Sequence, residues 1–187
     1  FPKTMVIDDI THSRRIFTSW TWDELNAIGI YTVEAGTPGD DRFEYTSQPT
    51  YTYSASGKKV TTAYTTTDKT LTDTNDVDED GNAVLDQYGV QMVTRGLKYN
   101  AIQKVKAQQA GFLAQTDWYI IRKADAGTAI PTAIQTFRNA IRADATRIEN
   151  AITAATTMDE FIALYTTTHN EDRTVDQIAI TQSWTEE

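Results

Sequence analysis

The stretch PTAIQTFRNAIRADATRIENAI, residues 131–152, decides the fold of the second half of this 187-residue chain. Its apolar residues recur every three or four positions once Ala145 is included, which places them on one face of an α-helix. Pro131 suits the first turn, where its missing amide hydrogen costs no hydrogen bond. The larger members of the apolar face are Ile134, Phe137, Ile141, Ile148 and Ile152. The pattern predicts one long amphipathic helix that buries this face.

A second amphipathic helix is predicted before it, over residues 98–112. Its apolar face carries Ile102, Val105 and Phe112. Thr116 then caps a short helix that ends at Gly127, because glycine readily adopts the left-handed conformation of a helix terminus.

After the long helix, Thr157 and Glu160 form a capping box, the reciprocal pair of hydrogen bonds that opens a helix. That short helix is expected to run to Tyr165. Residues 177–184 alternate in polarity, which predicts a strand or an extended acidic arm.

The first half has a different period. Thr21 and Glu24 form a capping box around Trp22, and strands are expected over 30–33, 43–53, 58–71 and 84–93. Strands followed by helices indicate an α+β fold. We expect a β-rich lobe over residues 1–94 with a short N-terminal helix, and a helical module with an extended acidic C-terminal arm over residues 95–187.

Composition excludes several classes of function. Without cysteine the chain has no disulfide framework and no thiolate metal site. No apolar run approaches the roughly 20 residues of a membrane span. The net charge of -9 opposes binding to nucleic acid. Acidic blocks at 68–86 and 148–187 flank a basic block at 95–147, which favours neutralisation within the fold or between subunits.

An active site is not indicated. His12 and His169 stand far apart, and neither has a metal-ligand partner at helical spacing. The chain has no phosphate-binding glycine loop and none of the usual hydrolase motifs. We therefore expect no enzyme activity, no catalytic residue and no bound organic cofactor.

One segment resembles a calcium loop. Asp76, Asp78 and Asp80 stand at alternate positions before Gly81, as the ligands of such a loop do. Gln87 occupies the place of the bidentate glutamate that completes the usual pattern. The sequence predicts either a weak calcium site or a solvated acidic hairpin that turns at Asp80-Gly81.

Two segments carry a resemblance to a known family. Residues 113–118 read Leu-Ala-Gln-Thr-Asp-Trp, and an aromatic-arginine-x-x-x-arginine pattern follows at Phe137, Arg138 and Arg142. These segments resemble the C-terminal helical module of tailed-bacteriophage tail and tail fibre proteins, which also occurs in tail fibre assembly chaperones of marine or cyanobacterial phages. A Trp22…Gly29-Ile-Tyr element is similar to one that often precedes the module.

The resemblance implies a structural component of a phage virion, in the tail, tail fibre or baseplate, made in the cytoplasm of the bacterial host. Its partners would be other virion proteins and copies of itself, as a trimer if it belongs to a fibre. Two alternatives stay open: an assembly chaperone that leaves the particle, and a calcium- or glycan-binding adhesion module. The residues expected to act as structural or interface anchors are Trp22, Ile102, Val105, Phe112, Trp118, Phe137 and Ile141, with Trp118 buried between two helices.

Overall fold

Strands precede helices along the chain in the computed structural model, which describes residues 3–186. This order confirms the α+β prediction. The chain divides into two units, an N-terminal unit that ends at Thr67 and a C-terminal unit that begins at Asp68. Each unit is described by itself below.

The N-terminal unit is built from short strands and two short helices. Its elements are β1 (Thr4–Ile7), β2 (Ile10–Ser13), α1 (Ile16–Ser19), α2 (Trp22–Ala27), β3 (Thr32–Glu34), β4 (Glu44–Thr46), β5 (Thr50–Ser54), β6 (Lys59–Ala63) and β7 (Thr66–Asp68), which crosses the boundary. Strands β1 and β2 form a hairpin, and Asp8 and Asp9 both take positive φ at its turn. A three-stranded sheet has the strand order β3-β6-β5, in which β3 is parallel and β5 is antiparallel to β6.

The predicted strand over 43–53 is interrupted in the structure. β4 and β5 are separate strands, and they pair with β7 and β6 respectively. The buried hydrophobic residues of this unit are Ile16, Leu25 and Phe43. The alternation of aromatic and polar residues over 43–53 therefore predicts strands correctly, but it does not predict a buried face.

The C-terminal unit is organised by two long helices. Its elements are β8 (Thr74–Asn75), β9 (Val93–Thr94), α3 (Leu97–Ala114), α4 (Asp117–Ala126), α5 (Thr132–Ala154), α6 (Met158–Ala163), β10 (Thr168–His169), β11 (Val175–Gln177) and a 3₁₀ turn (Ile180–Gln182). Helix α5 buries Phe137, Ile141, Ala145, Ile148 and Ile152, the face that the sequence predicted. Gly127 ends α4 with φ of 66°.

Residues 68–94 belong with the helices, whereas the sequence grouped them with the strands. The amide of Leu97 donates to the carbonyl of Thr70 at 2.9 Å, and that of Lys98 donates to Leu71 at 3.0 Å. Asp73 accepts from the amide of Gly96 at 2.9 Å. The change of hydrophobic period near residue 95 indicates where α3 begins. It does not indicate the boundary of the unit, because these bonds attach residues 70–73 to the first turn of α3.

Candidate assembly surfaces

The two segments that carry the family resemblance meet at one buried arginine. Arg138 Nη1 donates to the carbonyl of Leu113 and to the hydroxyl of Thr116, both at 2.7 Å. Its Nη2 lies 2.9 Å from a carboxylate oxygen of Asp117. Only 6% of the Arg138 side chain is exposed, so this guanidinium joins the C-terminal end of α3, the start of α4 and the middle of α5.

Trp118 lies on the other side of this junction and is not the buried anchor that the sequence predicted. Half of its surface (50%) is exposed, and α4 has no buried residue at all. Arg138 and Thr116, which are both buried, bond to each other at this junction. Helix α4 turns Trp118 towards solvent, where its ring stacks on Tyr119 at 4.0 Å between centroids.

The exposed side of α4 combines apolar and cationic groups. Arg122 lies over the Trp118 ring at 4.5 Å and near the Tyr119 ring at 5.3 Å. Ile121, one turn from Trp118, is 67% exposed. We call Trp118, Tyr119, Ile121 and Arg122 the α4 surface. The sequence predicted an anchor role for its tryptophan but not for Tyr119, Ile121 and Arg122. The signal for this surface is that Trp118, Ile121 and Arg122 fall on one helical face.

The apolar face of α3 is covered within the chain. Val105 is buried, Ile102 is partly buried, and α3 packs along α5. Lys98 Nζ also donates to the carbonyl of Thr153 at 3.1 Å. Val105 therefore acts as a structural anchor within the fold, because it is buried on a helix that packs along α5.

Residues 177–186 do not form an extended arm. Trp184 packs on Phe112 at 5.2 Å between ring centroids, and Arg147 donates to the hydroxyl of Ser183 at 3.1 Å. Asp144 accepts from the amide of Thr185 at 2.8 Å. Burial raises the pKa of Asp144, but the bonds from Thr185 and Arg147 outweigh it and leave the pKa below its ordinary value. Side chains on α5 thus hold this segment against the helices.

Trp22 is exposed as well, at 55%. The predicted capping box is present: Thr21 accepts from the amide of Glu24 and donates its own amide to the Glu24 carboxylate at 2.8 Å. The backbone and hydroxyl hydrogen bonds from Thr21 lower the pKa of Glu24. Asp23 forms an ion pair with Lys58 at 2.8 Å. Trp22 is therefore placed by the cap on the surface of α2 and anchors no core.

The three aspartates of the predicted calcium loop do not converge. Asp76 accepts from the amide and the hydroxyl of Thr94 at 3.1 and 2.6 Å. Asp78 accepts from the amides of Asp80 and Asn82 at 3.0 and 2.8 Å. Within residues 3–186 no three acidic or histidine side chains form a group that would hold a metal ion. The calcium expectation is corrected, because Asp76 and Asp78 hold the backbone of hairpins.

The hairpins repeat with a period of eight residues. Asp86 accepts from the amides of Tyr88 and Val90 at 2.8 and 2.9 Å, just as Asp78 accepts from Asp80 and Asn82. Gly81 and Gly89 occupy the same place in the two turns with φ of 83° and 78°, a region in which glycine is favoured. The repeated Asp-x-x-Gly spacing is the sequence signal for this pair of hairpins.

The repeat closes into a ring of three backbone hydrogen bonds. The amide of Asp76 donates to the carbonyl of Met92, that of Met92 to Val84, and that of Val84 to Asp76, at 2.8–3.0 Å. The side-chain amide of Gln91 donates to all three of these carbonyls, at 2.8, 2.8 and 3.2 Å. We call residues 74–94 the hairpin segment.

Most of the large apolar side chains of the hairpin segment face solvent. Those exposed by 45% or more are Val77, Leu85, Tyr88, Val90 and Met92. The segment is held by backbone and carboxylate hydrogen bonds and not by a buried core. Such a cluster of exposed apolar groups among acidic ones is typical of a contact surface.

Aromatic residues also line one face of the three-stranded sheet. Tyr51 and Tyr53 are 65% and 50% exposed, and the Tyr53 ring lies 4.5 Å from that of Tyr31. Their hydrogen bond raises the pKa of Tyr53. Of the tryptophans, Trp20 packs edge-on against His12.

The two histidines lie in different units of the chain. His12 lies in β2, in the N-terminal unit, and His169 lies in β10, in the C-terminal unit. The helices described in residues 3–186 include none with the length and apolar character needed to cross a bilayer.

Comparison of the chain with models of known protein families, with curated proteins and with solved structures gives no significant match.

Proposed function

We propose that the chain is a structural component of a tailed-phage virion, in the tail, tail fibre or baseplate, and that it acts through contacts with other proteins. The observation that carries the proposal is the junction at Arg138. It brings together the Leu-Ala-x-Thr-Asp-Trp stretch and the aromatic-arginine helix, the two segments in which the chain resembles phage tail proteins. A module of this kind is expected to present its tryptophan helix for assembly.

The surfaces support a binding role over a catalytic one. Exposed apolar groups gather on α4, on the hairpin segment and on the face of the β3-β6-β5 sheet. The hairpin segment is acidic and the block at residues 95–147 is basic, and such opposite charges suit contacts between subunits. In this proposal the protein is made in the bacterial host cytoplasm and retained in the particle, as a trimer if it belongs to a fibre.

Quantitative mass spectrometry of purified virions tests the proposal. The chain is expected at a fixed copy number relative to the major capsid protein, and antibodies against it should label the tail in electron micrographs. Abundance in infected cells with loss from purified particles would instead support the assembly chaperone. Absence from both fractions would contradict either role.

A further inference from the structure

We propose that a second copy of this chain binds the α4 surface through its hairpin segment, so that copies join head to tail. The inference rests on the proposed assembly function and names the two surfaces that carry it.

Two apolar side chains of the α4 surface are largely exposed among the described residues 3–186. Helix α4 buries none of its residues, and Trp118 and Ile121 are exposed by 50% and 67%. An exposed aromatic and aliphatic pair bordered by Arg122 and Lys123 has the composition of an interface centre, where tryptophan, tyrosine and arginine are enriched.

The hairpin segment offers the complementary chemistry. Leu85, Tyr88 and Val90 are exposed by 52%, 81% and 61%, which gives apolar groups for the Trp118 and Ile121 side chains. Residues 76–94 carry five acidic side chains and no basic one. Arg122 of the α4 surface and its neighbour Lys123 therefore meet a negative surface, and charge complementarity of this kind raises the association rate and selects the partner.

The two surfaces are exposed in this chain and adjoin opposite ends of α3, so the proposed contact is one between copies. The hairpin segment ends at the first turn of α3, and α4 begins at its last turn. Helix α3 has 18 residues, so about 27 Å separates its ends at 1.5 Å per residue. A contact between unlike surfaces is heterologous, and it either closes into a ring, as three copies would, or continues as a filament.

Two double variants of the full chain test the contact. Trp118→Ala with Ile121→Asp removes the α4 surface, and Glu79→Lys with Tyr88→Ala removes the surface of the hairpin segment. By sedimentation velocity, the unmodified chain is expected to gain mass with concentration, whereas each variant alone stays monomeric. An equimolar mixture of the two variants should form a 1:1 dimer and nothing larger, since only one intact pair of surfaces remains.

Charge reversal gives a second readout with a matched control. Lys123→Glu should weaken self-association roughly tenfold, and adding Glu79→Lys to it should restore the affinity. Lys106→Glu makes the same charge change on the exposed side of α3 and should leave self-association unchanged. Circular dichroism spectra equal to those of the unmodified chain establish that every variant is folded.

Three results would overturn the proposal: self-association of either double variant alone, an equimolar mixture that remains monomeric, or an unmodified chain that is monomeric up to its solubility limit. The assembly function has its own test. A chain found in virions that fails the mixing experiment would keep the proposed function and lose this contact. The reverse pair of results would keep the contact and remove the virion role.

Discussion

Among the described residues, the C-terminal unit buries ten hydrophobic side chains, whereas the N-terminal unit buries three. The two units differ in the length of their elements. Helices of 18 and 23 residues pack along each other over many turns, but strands of three to five residues offer only one to three side chains to each face. Threonine- and tyrosine-rich strands satisfy the backbone of a sheet without building a core beneath it.

The largest expected effect separates the two units directly. Ile148 is fully buried in α5, so Ile148→Ala should lower the free energy of unfolding by about 2–5 kcal/mol through lost burial and the cavity left behind. Val33 in β3 is 59% exposed, and Val33→Ala should change the free energy of unfolding by no more than about 0.5 kcal/mol. Urea unfolding followed by circular dichroism measures both; equal losses would contradict the contrast in burial.

The second prediction concerns the Arg138 junction. Arg138→Leu should cost about 2–3 kcal/mol of unfolding free energy, because hydrogen bonds from a charged group to Leu113 and Thr116 are lost. Arg138→Lys keeps the charge but not the forked donor geometry. Its free energy of unfolding should therefore lie between that of the unmodified chain and that of Arg138→Leu. Thermal unfolding gives the order; a lysine variant as stable as the unmodified chain would show that charge alone suffices.

A smaller effect is expected at Trp118. Because half of the side chain is exposed, Trp118→Ala should lower the unfolding free energy by less than about 1 kcal/mol, the value of an exposed cation–π contact. Phe137, which is buried in α5, is the matched aromatic, and Phe137→Ala should cost about 3–5 kcal/mol. Similar melting temperatures for the two variants would show that Trp118 is buried after all.

The smallest effect is an acid response that the two units share. Hydrogen bonds from Thr21 lower the pKa of Glu24, and those from Thr156 and Thr157 lower the pKa of Glu160, each from the ordinary value of 4.5. The stability that these carboxylates contribute is therefore complete above pH 4.5 and is lost as the pH falls through the folded-state pKa. Glu24→Gln and Glu160→Gln should flatten the pH dependence of the urea midpoint. If the midpoint of both variants falls below pH 4.5 as it does in the unmodified chain, the prediction is contradicted.

Local signals predicted the helices well and the surfaces poorly. The capping boxes at Thr21 and Thr157, the stop at Gly127 and the buried face of α5 all follow from patterns within one element. The position of Trp118 does not, because it depends on how α4 packs in its unit, where Arg138, distant in sequence, bonds to Leu113 and Thr116.

The same limit explains the calcium motif. Alternate aspartates are compatible with a metal loop and with turn-capping, and the hydrogen-bond partners that distinguish the two are local for Asp78 but distant in sequence for Asp76. Thr94 binds Asp76 across 18 positions, while Asn82 binds Asp78 across four. The second Asp-x-x-Gly at Asp86 was the only local sign that the first belonged to a repeat.

The ring in the hairpin segment has a consequence for the order of folding. Gln91 reaches the Asp76 carbonyl across 15 positions of sequence, whereas Lys98 meets the Thr153 carbonyl across 55. Since the entropy of loop closure rises with loop length, and local contacts form faster, the ring should close before α3 meets α5. The first turn of α3, bound by the residues just before that ring, would then act as a preformed nucleus on which the long helices collapse.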